Sequence, residues 1–116
     1  MELTEEDIRR IEKLGFKREG FTVTHADGRV TLKNVNGHCI FLDESTGKCT
    51  IYPHRPIGCR LYPIIYDEAS GDVTVDPECP AAYTVSRKEL EKARSKVLKL
   101  IKTIEREALA RLRIHP

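Results

Sequence analysis

The chain has no tryptophan and a single methionine, and its large aromatic residues are limited to three Phe and four Tyr in 116 residues. A core drawn from so few bulky side chains is modest, and a metal or a cross-link would reinforce it. No apolar run approaches the ~20 residues that a membrane-spanning helix requires. The opening Met1-Glu2-Leu3-Thr4-Glu5-Glu6-Asp7 also lacks the basic start and apolar stretch of a secretory signal. These absences point to the cytoplasm, without a membrane partner. There thiols stay reduced, and a set of cysteines serves metal or redox chemistry more often than structural disulfides. Missing as well are a phosphate loop, a dinucleotide-binding glycine pattern, a nucleophile elbow and an acid/base pair. No residue is assigned a catalytic role, and the adjacent Asp43 and Glu44 read as part of a turn.

What is present fits one domain over residues 1–116, built as a helix plus a β-rich cysteine segment (1–85) followed by a long basic helix (86–116). The net charge of +2 is unevenly spread. Residues 1–85 hold 10 Lys/Arg against 14 Asp/Glu, whereas residues 86–116 hold 10 against 4. A basic segment can contact an acidic partner or nucleic acid. Its Glu residues, however, interleave with Lys and Arg at helical pairing distances, as on a solvated helix face. No aromatics accompany the basic residues, which argues against nucleic acid.

Thr4 and Asp7 have the spacing of a capping box, with Leu3 and Ile8 placed as a hydrophobic staple. Ile8, Ile11 and Leu14 then repeat at helical spacing up to Gly15, predicting a helix over 5–14. Phe21–His25 and Arg29–Lys33 are β-prone runs joined through Asp27-Gly28, the clearest hairpin in the chain. Asn36-Gly37 and Thr46-Gly47 turn into Cys39–Leu42 and Lys48–Tyr52, placing two cysteines on neighbouring short strands. Pro53, Pro56 and Pro63 make the next stretch rigid, with Cys59 in an irregular segment or on one helical turn starting near Pro56. Ser70-Gly71 separates Tyr62–Tyr66 from Asp72–Val75. Ser86 with Glu89 forms a second capping box. The stripe Leu90, Ala93, Val97, Leu100, Ile101, Ile104, Ala108, Leu112 predicts one helix over 87–112, whose apolar face covers the β-rich part. Its heptad pattern is short and mixed, which suits a monomer or a weak dimer. The fold class is therefore α+β: a small antiparallel β-rich metal-centre core with a short N-terminal helix and one long C-terminal helix.

Cys39, Cys49, Cys59 and Cys79 are separated by 9, 9 and 19 residues. Four thiolates suit either a tetrahedral zinc ion or a [4Fe–4S] cluster. The absence of a Cys-x-x-Cys knuckle favours the cluster. Spacing by itself leaves two disulfides or inert buried thiols open.

The residues around the cysteines carry a resemblance. Gly37-His38-Cys39-Ile40-Phe41-Leu42-Asp43, Gly47-Lys48-Cys49-Thr50-Ile51-Tyr52 and Arg55-Pro56-Ile57-Gly58-Cys59-Arg60-Leu61-Tyr62-Pro63 form a series similar to the YkgJ-type cysteine-cluster family of zinc- or iron-chelating domains. It extends over about residues 3–80 and includes the Leu-Thr-Glu-Glu-Asp-Ile opening. The resemblance implies that Cys39, Cys49 and Cys59 are ligands, with Cys79 as the later cysteine. It also links the chain to iron–sulfur oxidoreductases and to the cysteine segment of flagellin lysine methylases, so a redox enzyme or an accessory part of a methyltransferase is the alternative function. The family's usual opening Cys-x-x-Cys-x-x-Cys-Cys cluster does not precede Leu3, which leaves ligands for one centre.

A thiolate centre carries net negative charge, so cations and N–H donors beside it stabilise it. Arg55 and Arg60 flank Cys59 and are expected in that role, with an ion pair to Asp43 or Glu44 the other reading for Arg55. Tyr52 and Tyr62 are expected as apolar cover against water. His54, in a turn near two cysteines, is the candidate spare ligand, with a plain exposed loop residue as the other and favoured reading. His38 should point away from its neighbour Cys39, and His25 and His115 have no role. The leading expectation is a metal-binding protein with one four-cysteine centre, supporting electron transfer or metal delivery to a protein partner. A nucleic-acid-binding module is the minority alternative.

Overall fold

A computed structural model describes residues 1–114; His115 lies outside the described residues. Thr4 opens helix α1 (Glu5–Glu12), and the capping box is complete in both directions: Asp7 N donates to Thr4 Oγ1 and Thr4 N donates to Asp7 Oδ2, each at 3.1 Å. The helix stops two residues before its expected end. Leu14 N donates to the Ile11 carbonyl and Gly15 N to that of Glu12, so the chain tightens into i to i−3 turns.

A turn of helix absent from the sequence expectation, α2 (Arg18–Phe21), then swings Phe21 into the interior. Strand β1 (Thr22–Thr24) pairs antiparallel with β2 (Val30–Leu32) around the Asp27-Gly28 turn, as expected. The N-terminal residues flank β2, with Leu3 N donating to the Val30 carbonyl and Leu32 N to that of Met1. Gly28 is required here twice over. Its φ is +87°, and a Cβ at this position would run into the Ala108 carbonyl of the long C-terminal helix.

The cysteine segment is less sheet-like than expected. Strands β3 (Asn34–Val35) and β4 (His38–Cys39) form one two-residue ladder around the left-handed Asn36-Gly37 turn. Strands β5 (Leu42–Asp43) and β6 (Lys48–Cys49) form another. Cys39 is thus opposite Asn34 and Cys49 opposite Leu42, so the two cysteines stand on separate ladders instead of neighbouring strands. The ladders are linked through the backbone by Thr50 N, which donates to the Phe41 carbonyl at 2.7 Å.

After a 3-10 turn at Tyr52–His54, Pro56 opens α3 (Ile57–Leu61), the single helical turn expected for Cys59. A hairpin of β7 (Ile64–Asp67) and β8 (Asp72–Val75) follows. A second 3-10 turn at Ala82–Thr84 then leads to α4 (Arg87–Ile114), begun by Ser86, whose Oγ accepts from Glu89 N at 3.1 Å. The four ladders are two-stranded and separate. They are unified by a core of Leu3, Ile8, Ile11, Phe21, Val30, Leu32, Phe41 and Ile51, and by α4, which lies against α3, β7 and β8 through its apolar stripe. Val97, Ile104 and Ala108 of that stripe are buried, whereas Leu112 is exposed. No helix among the described residues is long and apolar enough to cross a membrane.

Candidate metal centre

Cys39 and Cys49 are half-buried at the edge of the core, packed against it beside Ile40. Their depth follows from Phe41, whose ring lies between those of Phe21 and Phe16 and draws the chain between the two ladders inward. Cys59 reaches the same neighbourhood by another route. The carboxylate of Asp7, fully buried, accepts from Ile57 N at 3.1 Å, satisfying a free amide at the start of α3. It also accepts from Arg10 Nη2 at 2.8 Å, and the same nitrogen donates to the Arg55 carbonyl. Arg10 Nε is buried without a hydrogen-bond partner among the described residues. Asp7 therefore both completes the capping box that Thr4 opens on α1 and is the post to which the Cys59 helix is tied. The sequence signalled the first function through Thr4-x-x-Asp7, but not the second, because its partner lies 50 residues away.

All four cysteines are free thiols. Burial pushes Cys59 up to about 11, and the charges of Cys39, Cys49 and Asp7 push the same way against the Met1 ammonium. The Cys39 and Cys49 thiols therefore lie within electrostatic reach of Cys59. Cys79 acts by its charge on Tyr62. It sits in the turn after β8, its N–H donating to the Asp76 carbonyl. The β7–β8 hairpin nevertheless folds the long gap between Cys59 and Cys79 back on itself. Asp76 N donates to the Pro63 carbonyl at 2.8 Å, and Tyr62 Oη donates to Asp76 Oδ2 at 2.7 Å. That bond raises the Tyr62 phenol to about 12 and holds Asp76 below the usual carboxylate range.

In kind, this donor set fits zinc or iron: half-buried, unpaired sulfurs delivered by short rigid elements. In spacing, no group of three or more His, Cys, Asp or Glu among the described residues stands close enough together to hold a metal ion. Thiolate sites draw together as the metal displaces the protons, so binding and the last step of folding are coupled.

The residues expected around the centre have other contacts. Arg55 does not pair with Asp43 or Glu44; its guanidinium lies 4.0 Å over the Tyr52 ring and donates to the Tyr52 carbonyl. Tyr52 and Tyr62 are exposed, at 59% and 42%, so the apolar cover expected of them is not where these rings lie. His54 is exposed. The two ring nitrogens of His38 face the Cys39 carbonyl and Glu44, which together raise its pKa. Arg60 is exposed and faces a groove against α4.

Comparison with known proteins agrees with this donor chemistry. The profile of the CxxCxxCC family, described as a "putative zinc- or iron-chelating domain", matches residues 1–80. An uncharacterized protein of the archaeon Methanocaldococcus jannaschii is 50% identical over 44 residues, 38% of this chain. The matched stretch is 24% of that relative's own length, so the chain spans about a quarter of it. No solved structure matches.

Proposed function

Since this chain belongs to the CxxCxxCC family of zinc- or iron-chelating domains, for which metal binding is the supported property, we propose that Cys39, Cys49, Cys59 and Cys79 hold one metal centre. The favoured occupant is a [4Fe–4S] cluster, with a single zinc ion second. The observation that carries this reading is that all four cysteines are free and half-buried, with Cys39 and Cys49 packed at the core edge and both acting by charge on Cys59, 20 and 10 residues further along the chain. Cys79 supplies the fourth donor through the hairpin that returns the chain from Pro63 to Asp76.

When bound, the group supplies either one-electron transfer or a structural cross-link. The chain's own residues do the rest. Asp7 fixes α3, the core edge desolvates Cys39 and Cys49, and Tyr62 with Asp76 ties the two later cysteines together. Free thiols suit a reducing compartment such as the cytoplasm. Electron transfer or support of a partner enzyme is the role proposed for a cluster here, because the sequence carries no catalytic constellation of its own.

Anaerobically purified protein should carry about four iron and four sulfide per chain and absorb at about 400 nm. Colourless protein with stoichiometric zinc would change the occupant but retain the site. Cys59→Ser should lose the metal and loosen β7–β8 in hydrogen exchange while leaving the α1 core protected. Metal-free wild-type protein, or unchanged metal content in the variant, rejects the ligand assignment.

A further inference from the structure

Helix α4 carries Lys96, Lys99 and Arg106 at separations of three and seven residues, which place them along one face over about 15 Å. Across from them stand Arg9 of α1 and Arg60 of α3, and together the five surround a groove of about 730 Å³. All five are exposed, and among the described residues none is in an ion pair. Arg10, Arg18, Arg29, Arg94 and Arg111, by contrast, are each paired with a carboxylate. The groove holds two carboxylates, Glu6 and Glu107, and Glu107 already accepts from Glu5 N. An excess of cations around one concavity raises the local potential and concentrates anions there.

The floor sets the class of anion. Ile57, Leu61 and Leu100 line the groove half-buried, so its base is apolar and its rim cationic. No aromatic side chain lines it to stack a nucleobase, and an apolar floor offers nothing to a phosphate backbone. A helix with an apolar row flanked by acidic side chains satisfies both features at once, by the helix-in-groove mode. We infer that the groove between α1, α3 and α4 docks an acidic amphipathic helix of a partner protein, its apolar row on Ile57, Leu61 and Leu100 and its carboxylates on the five cations. This surface is independent of whether the thiols hold a metal.

The probe is a fluorescein-labelled synthetic helix with Leu at alternate three- and four-residue spacing and Glu on either side. It is titrated with the full chain, and elemental analysis is run on the same samples. Binding should weaken about tenfold in the Lys96→Glu/Lys99→Glu double variant and decline as salt is raised. The Lys96→Gln/Lys99→Gln pair should give a smaller loss. Lys13→Glu/Lys17→Glu, an equal charge change outside the groove, should stay within about twofold of wild type. The inference is overturned if the peptide does not bind, if a Gln-for-Glu peptide binds equally, if labelled DNA or RNA binds in its place, or if the outside pair loses as much. Loss of peptide binding at unchanged metal content concerns the groove alone, and loss of metal at unchanged binding concerns the thiols alone.

Discussion

The N-terminal part of the molecule and the segment around β7 and β8 are held together by different means. Residues 3–51 contain eight buried apolar side chains in one cluster. Residues 57–96 contain no fully buried residue. The first region is stabilised by burial, with each large side chain contributing about 1.5–3 kcal/mol. The second depends on a four-residue-pair ladder, half-buried contacts with α4 and the bond from Tyr62 to Asp76. Cys39 and Cys49 belong to the first region, Cys79 to the second, and Cys59 stands on the helix between them. A centre shared by the four would add a cross-link where burial contributes least.

The sharpest way to break this contrast is Phe21→Ala. Phe21 is 1% exposed and touches Phe41, and its truncation should cost about 3–5 kcal/mol in urea unfolding. A matching truncation in the hairpin, Val73→Ala, should cost about 1 kcal/mol, and equal losses would dissolve the distinction. Asp7→Asn comes next, because it weakens the capping box and the tie to Ile57 and leaves Arg10 without its counter-charge. A loss of about 2–4 kcal/mol is expected, with hydrogen exchange accelerated in both α1 and α3. Acceleration confined to α1 would show that α3 is positioned by something else.

The smallest effect concerns the ion pairs that join α4 to the N-terminal region. Burial pushes the Glu5 carboxyl upward, but Arg111 and Arg18 outweigh it and hold its pKa below the usual value of 4.5. A depressed folded pKa stabilises the protein above the unfolded pKa, and this contribution disappears as pH falls through the folded one. Glu5 is largely solvent-screened, so the gain is on the order of 1 kcal/mol or less. Arg111→Gln should reduce the fall in stability between neutral pH and pH values below the carboxylate range. An unaltered pH profile would remove Glu5 from the links between the two regions.

Features set by residues close in sequence were legible before any coordinates. Thr4-x-x-Asp7 and Ser86-x-x-Glu89 started their helices because hydroxyl, carboxylate and amide lie within one turn of each other. Asp27-Gly28 and Asn36-Gly37 marked turns because the left-handed torsions of Gly28, Asn36 and Gly37 suit few other residues. Helix α2 was missed: four residues with no side-chain cap give almost no periodic signal. Around the cysteines, sequence proximity misled. Arg55 found the aromatic face of Tyr52, three residues before it, instead of an acidic partner, and Glu44 was taken by His38. The tie from Asp7 to Ile57 and the bond from Tyr62 to Asp76 join separate segments through single polar atoms, and no pattern of composition or period announces such pairs.

The missing side chain at Gly28 sets the height at which a 28-residue rod rides over the N-terminal hairpin. At about 42 Å, the rod is as long as the whole molecule, whose greatest extent is 40 Å. One methyl group at that turn would act as a shim beneath one end of a beam resting at its other end on β7 and β8. The tilt would reach every residue the beam carries, so a contact of ångström scale governs alignment across the full span.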